Sequence, residues 1–386
     1  MKPPRPTLFK KRLLSSLTLA ATLLAMASPK LRAAETPQIA LTLAPSKENP
    51  RNSEGDFVTL KDGRILFIYT HFTGGGRDNS PAFLASRISS DGGKTWSNKD
   101  KLEMENDGKE NIMSVSLLRL QDGRIALFYC RKNSITDLRP IIRFSTDEGE
   151  SWSAATEIIG ENEIGYYVVN NDRLVQLADG RLIFPTAQHN SPSLKKFNGN
   201  GTIHCYISDD KAQTWHRSKT SQDGSQANGK QTMLQEPGLV ELKDGRLMMW
   251  TRTNGGSQFV CYSKDRGESW SDFEASSLLS PVSPASIERL PKTKDLVAVW
   301  NDHSKIPKEL RGKRTPLSIA LSKDDGKTWL PAKTLYDLPT GWYCYTAIEF
   351  TDSDILLGHC AGDTSKGGGL NITKITRVPI TWLSAK

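Results

Sequence analysis

Six side chains of types suited to an acidic sugar, three arginines, a glutamate, a tyrosine and an aspartate, punctuate the chain, four of them at short offsets from a recurring turn. Arg51 precedes Gly63 by twelve residues, Glu236 precedes Gly245 by nine, and Tyr345 lies a similar distance before Asp354. Arg252 follows Gly245 by seven residues. Asp78 sits in the run Gly74-Gly75-Gly76-Arg77-Asp78-Asn79, and Arg314 precedes the apolar stretch that ends at Ser322. Guanidinium groups grip carboxylates through paired, charge-assisted hydrogen bonds, while carboxyl and phenol groups exchange protons. An Arg, Glu, Tyr and Asp set converging on one axis therefore suits an acidic sugar.

The elements that would position this set are legible in two repeated phrases. The first is Ser89-Ser-Asp91-Gly-Gly93-Lys-Thr95-Trp96, which returns at Ser145–Trp152, Ser208–Trp215, Ser263–Trp270 and Ser322–Trp329. All five fit the Asp box S-x-D-x-G-x-[ST]-W except the third, which has Ala212 at its glycine. In such a turn the Asp accepts N–H bonds, Gly supplies positive φ, and Trp packs on neighbouring strands. The second phrase is Asp-Gly-Arg between apolar runs, at Asp62, Asp122, Asp179 and Asp244, with weaker copies near Asp295 and Asp354. Asp-Gly between apolar runs is a strong hairpin signal. Successive hairpins lie 50 to 65 residues apart, room for four short strands. That spacing predicts an all-β fold, a six-bladed β-propeller of four-stranded antiparallel blades with five Asp boxes, forming one domain over 35–386. Either terminal stretch, near Ile39 to Leu43 or near Ile372 to Leu383, could close the ring.

With strands A to D named from the axis outward, the A–B and C–D turns share one face. Both repeated phrases fall there, so that face is expected to be structural and Arg64, Arg124, Arg181 and Arg246 solvated. Function is expected on the opposite loops, because irregular segments held on a rigid frame are where sites are built.

The formal net charge of +8 comes almost wholly from the first 34 residues, which carry seven basic and no acidic side chains. The remaining 44 basic and 43 acidic residues argue against a general nucleic-acid binder. Lys10, Lys11 and Arg12, the apolar run Leu13 to Ala27, and small residues at Ala25-Met26-Ala27 or Leu31-Arg32-Ala33 predict a cleaved signal peptide over 1–34. The chain is expected to be secreted or periplasmic, with no membrane span once the leader is removed. Five scattered cysteines argue against a disulfide framework or zinc site, and no metal or nucleotide motif is present, so no cofactor is expected.

These residues resemble the bacterial exo-α-sialidases, a family within the Asp-box, or BNR-repeat, sialidase superfamily, over nearly all of the chain after the leader. Asp boxes by themselves also occur in propellers that are not sialidases. The more specific matches are Gln235-Glu236-Pro237 through Arg252, Arg314-Thr-Pro-Leu-Ser-Ile-Ala-Leu-Ser322, and Tyr345-Thr-Ala-Ile. The resemblance implies a retaining glycosidase for terminal α-linked sialic acids, with Tyr345 as nucleophile, Glu236 as its base and Asp78 as acid/base. It also implies a carboxylate-binding triad of Arg51, Arg252 and Arg314. The chemistry is coherent, because a carboxylate nucleophile would meet the substrate's own carboxylate with a repulsion of roughly 4 kcal/mol at about 4 Å and an effective dielectric of about 20, whereas a phenol would not.

The resemblance breaks in two places. Arg51 is followed by Asn52-Ser53-Glu54 rather than Ile-Pro, and Leu356-Leu357-Gly358-His359-Cys360 replaces the Tyr-Glu that steadies the first arginine, leaving Glu54 as its substitute. Tyr343 is the alternative phenol and Arg139 the reserve arginine. Asn171 and Arg173, beside Asn170 and Asp172, are expected to bind the rest of the sugar, while Trp300 and Trp342 either stack on a ring or pack. Sialylated or other acidic glycans are the expected partners. A glycosidase for another acidic sugar and a glycan-binding propeller without catalysis are the alternatives.

Overall fold

Each Asp-Gly turn joins the inner two strands of a blade and each Asp box the outer two, as seen in the computed structural model, which describes residues 1–4, 35–194 and 196–384. The first blade comprises strands Arg51–Thr59, Ile65–Phe72, Ala82–Ser89 and Lys101–Met104. Its pattern recurs in the fourth blade, Gln235–Glu241, Leu247–Arg252, Ser257–Ser263 and Glu274–Leu279, and in the fifth, Ser286–Arg289, Leu296–Trp300, Leu317–Ser322 and Lys333–Tyr336. Blades two and three share a nine-stranded sheet, because Tyr166 of the short strand Tyr166–Val168 pairs in parallel with Leu138. The last blade runs Gly341–Phe350, Asp354–Asp363, Thr373–Pro379 and then, outermost, Gln38–Leu43. Both terminal stretches thus close the ring: Thr373–Pro379 is the third strand, and the amino-terminal strand pairs with it from Leu43↔Thr373 to Gln38↔Arg377. The fold is an all-β sialidase-type propeller.

The core lies between blades. Val58, Ile68 and Leu84 of the first blade pack on Val115, Leu127 and Tyr129 of the second, and Phe57 and Phe67 pack on Leu356 and Ile375 across the closure. A blade has two apolar faces and can bury them only against neighbours, so the ring folds as a whole.

The Asp boxes are built as their residue types require. Asp91 accepts from Thr95 N at 2.9 Å and Thr95 Oγ1 at 2.7 Å, and Ser89 Oγ accepts from Gly93 N at 2.9 Å. The same 2.9 Å bond reaches Asp147, Asp210, Asp265 and Asp324. Ala212 adopts the left-handed conformation of the missing glycine, with φ 70°. Four of the boxes also bond the preceding blade: Glu148 accepts from Lys61 N at 2.9 Å, the Lys211 carbonyl from Arg124, the Arg266 carbonyl from Arg181, and Asp325 from Lys243 N at 2.9 Å. The two phrases therefore share one face. Arg181 departs from the expected solvated state, because its guanidinium is buried between blades on Asp209, the Arg266 carbonyl and Glu268.

All five cysteines are free and buried. The expected leader falls on residues that, apart from 1–4, lie outside the described ones. Among the described residues no helix is long and apolar enough to cross a membrane.

Candidate active site

The inner strands carry bulges at the end opposite the Asp boxes, and the bulges present the site. Register shifts occur between Ser53 and Asp56, Met113 and Ser116, Gln235 and Gly238, and Cys344 and Ala347. Within these bulges Glu54, Ser114, Glu236 and Tyr345 all adopt left-handed φ, between 50° and 62°, and Asp172 does so in blade three with φ 58°. A non-glycine residue there carries strain, tolerated where surrounding packing enforces it. The extra residue re-aims the side chain along the axis instead of across the sheet.

Tyr345 and Glu236 meet as a result. Tyr345 Oη donates to Glu236 Oε1 at 3.2 Å, while Arg252 Nη1 donates to Glu236 Oε2 at 2.7 Å. The Arg314 guanidinium lies 5.5 Å from the Tyr345 ring centroid and 4.9 Å from that of Trp342. Burial acts to raise the Glu236 carboxyl, but Arg252, Arg314 and the Tyr345 hydroxyl outweigh it and hold the carboxyl below its usual range. Burial, and then the Glu236 charge, push the Tyr345 phenol well up. The pair is thus a neutral phenol against an ionised carboxylate. Tyr343, although two residues away, turns into the core against Tyr336 at 5.4 Å, because the bulge breaks the strand's alternation.

A cavity of about 430 Å³ opens on this pair. Its wall includes Glu54, Asp78, Arg252, Arg314, Trp342 and Tyr345. Arg252 Nε and Arg314 Nη1 are buried and unpaired among the described residues, which leaves two cationic donors for an anion.

Arg51 is held differently. Its Nη1 donates to Asp78 Oδ1 at 2.5 Å and its Nη2 to Glu54 Oε1 at 2.7 Å, while its guanidinium packs 4.4 Å above the Phe72 ring. It lies behind Asp78 and Glu54 rather than in the cavity wall. Glu54 is a carboxylate that steadies Arg51, and Ser114 Oγ fixes its other oxygen at 2.8 Å. Ser114 was not singled out in the sequence, although it stands nine residues before Gly123, as Glu236 does before Gly245.

Two expected sugar contacts are corrected. Asn171 Nδ2 donates to the Gly55 carbonyl at 2.8 Å and the Tyr345 carbonyl at 3.2 Å, so it braces blades across the axis. Arg173 spends its guanidinium on the carbonyls of Asp172, Pro237 and Ala285 and lies 5.6 Å from the Trp250 ring. Neither lines the cavity; their neighbour Asn170 does. The reserve, Arg139, is tied to Asp137, Glu157 and the Ile159 carbonyl. Trp300 packs in the core with its Nε1 on the Leu279 carbonyl. His189 and Tyr166, on the strands Leu182–Asn190 and Tyr166–Val168, and Phe197 also line the cavity and carried no sequence signal. Among the described residues no group of His, Cys, Asp or Glu is placed to hold a metal ion.

The BNR repeat-like domain family matches residues 106–356. The chain belongs to that family. A sialidase of Bacteroides fragilis is 28% identical over 228 residues, which are 56% of this chain and 38% of that protein. The match therefore spans well under half of the relative's length. Among solved structures, a protein of unknown function from Dyadobacter fermentans aligns with TM-score 0.68 at 18% identity, over 89% of this chain and 99% of that one. The NanB sialidase of Streptococcus pneumoniae aligns with TM-score 0.67 at 18% identity, over 90% of this chain and 71% of that one. At these identities the structural likeness is one of fold. This BNR-family chain is a sialidase-like propeller.

Proposed function

We propose that this chain is an exo-α-sialidase, an exported retaining glycoside hydrolase that releases terminal α-linked sialic acids. The observation that carries the reading is the Tyr345 phenol 3.2 Å from an ionised Glu236, in a cavity that also holds the unpaired donors of Arg252 and Arg314. The two guanidinium groups bind the substrate carboxylate, and Arg51 serves the triad by orienting Asp78 and Glu54. Tyr345 Oη attacks the anomeric carbon as its proton passes to Glu236, so no second anion approaches the substrate's own charge. Asp78 protonates the departing glycosidic oxygen, which breaks the glycosidic bond and leaves a tyrosyl glycoside. Water then attacks that carbon with Asp78 as base, and Glu236 returns its proton to the phenolate. Two displacements retain the configuration.

One observation favours a second reading, glycan binding without turnover: Asp78 is ion-paired with Arg51 at 2.5 Å and must leave that partner to protonate an oxygen. Incubation with a fluorogenic sialoside decides between them. Fluorophore release that is lost in Tyr345→Phe and Glu236→Gln supports the hydrolase; saturable binding of the sialoside without release supports the second reading.

A further inference from the structure

Cys344 and Cys360 face each other across the inner strands of the last blade. They are direct partners in the antiparallel pairing of Gly341–Phe350 with Asp354–Asp363, and both are buried. Directly opposed residues of such a pair have Cα atoms about 4.5 to 5.5 Å apart, inside the range of about 4.4 to 6.8 Å that a disulfide spans. Their side chains leave the same face of the sheet, and the two thiols are hydrogen-bonded to each other. The other three cysteines, Cys130, Cys205 and Cys261, lie one each on blades two, three and four, where burial pushes each thiol up.

The pair lies at the base of the site. Cys344 immediately precedes Tyr345 and is the last paired residue before the bulge that turns the phenol toward the axis. Arg314 lies against the Cys344 sulfur, and Cys360 sits in the field of Arg51 and Glu54. Burial acts to raise the Cys344 thiol, but the Cys360 S–H and the Arg314 guanidinium outweigh it and draw the group below its usual range. The same bond, and then burial, push the Cys360 thiol well up. One sulfur is therefore the nucleophile and the other the proton-bearing thiol, the division that disulfide formation needs. In this state Arg314 is shared between the Cys344 sulfur and any anion that meets its unpaired Nη1.

Resting on the sialidase reading for the ligand, we propose that Cys344 and Cys360 are an oxidation site: joined as a cross-strand disulfide, they release Arg314 and leave its guanidinium to the substrate carboxylate. The oxidant is a peroxide, little larger than water. The Cys344 thiolate attacks one peroxide oxygen, the O–O bond breaks, and hydroxide leaves with the thiol's proton as water, giving a sulfenic acid at Cys344. Cys360 then attacks that sulfur, loses its proton and expels the hydroxyl as a second water. Two S–H groups and one hydrogen peroxide become one S–S bond and two waters. A disulfide sulfur carries no charge, so the competition for Arg314 ends.

The test compares the full chain after dithiothreitol and after hydrogen peroxide. Both cysteines fall in one tryptic peptide, 334–366, which should become lighter by two hydrogens with peroxide and regain them with dithiothreitol. KM for a 4-methylumbelliferyl sialoside should fall about fivefold in the oxidised protein, with kcat little changed, and return on reduction. Cys344→Ser combined with Cys360→Ser should show one KM under both treatments; the wild-type mass and KM shifts decide whether or not that variant folds. A peptide whose mass stays constant, or that only gains oxygen irreversibly, overturns the disulfide while leaving the sialidase reading intact. A reversible disulfide with KM unchanged or raised overturns the tie to Arg314. Disulfide formation in a protein that neither cleaves nor binds the sialoside in either state overturns the sialidase reading, and the tie to the substrate with it, but not the disulfide.

Discussion

The two faces of the ring use the same inner strands for opposite ends. On the turn face five Asp boxes repeat one hydrogen-bond pattern with almost no variation, and four of them bond the preceding blade. On the bulge face the backbone conformation repeats, with left-handed φ at Glu54, Ser114, Asp172, Glu236 and Tyr345, but the side chain changes from blade to blade. One face spends its residue identities on geometry; the other spends its geometry on presenting identities. Strain concentrated at the bulges is affordable because the turns opposite hold the blades in register.

The comparison breaks most sharply if the bulge face proves dispensable for chemistry. Tyr345→Phe or Glu236→Gln should reduce sialoside release by about a thousandfold or more, measured as kcat, because the nucleophile and its base act as one unit. Retention of a tenth of the wild-type rate by either would end the assignment. Next in size, Arg252→Lys or Arg314→Lys should lower kcat/KM about a hundredfold, since an ammonium cannot reproduce the guanidinium fork. Arg246→Lys, on the turn face and paired with Asp244 in the open, should leave it unchanged; equal losses at all three would erase the distinction between faces.

Smaller effects sharpen the structural side. Gly267 has φ 91°, and a Cβ there would stand 2.3 Å from Ile183 Cδ1 of the preceding blade. Gly267→Ala should therefore cost about 1 to 3 kcal/mol in urea unfolding, with activity per folded molecule unaltered. The smallest expected effect is one of pH. Glu349, at the turn-face end of the last inner strand, is pushed up to about 7 by burial, against which Thr59 Oγ1 donates at 2.8 Å. A carboxyl raised on folding stabilises below its unfolded pKa, and that contribution is lost as pH rises through about 7. Glu349→Gln should flatten the fall in urea midpoint between about pH 5 and pH 8 relative to wild type; a steeper fall in the variant would reverse the sign.

Local chemistry made the turn face readable, since Asp-Gly and the Asp box each complete their hydrogen bonds within eight residues. The four-stranded blade period followed from counting those turns, as did the face on which to seek a site. The site was readable where its residues keep a constant offset from a turn, as Glu236 and Tyr345 do. The same offset pointed to Ser114, where the residue type carried no chemical alarm. Alternation misled at Tyr343 and Tyr345, which share a strand face on paper; the bulge between Cys344 and Ala347 separates them. Asn171 and Arg173 looked like sugar contacts because polar residues at an inner strand start point toward the axis, yet backbone carbonyls of other blades take their donors. His189 was invisible, being one histidine near the end of a strand with no motif around it.

The amino-acid order alone determined the propeller class, the structural face and the candidate phenol, base and arginines, because each rests on short-range turn geometry repeated along the chain. Tertiary structure alone decided that Arg51 stands behind Asp78 and Glu54, that Asn170 rather than Asn171 meets the cavity, and that His189 lines it. Those outcomes depend on which carbonyls and carboxylates of distant blades reach a given donor once the ring has closed, and no spacing within a single blade carries that information.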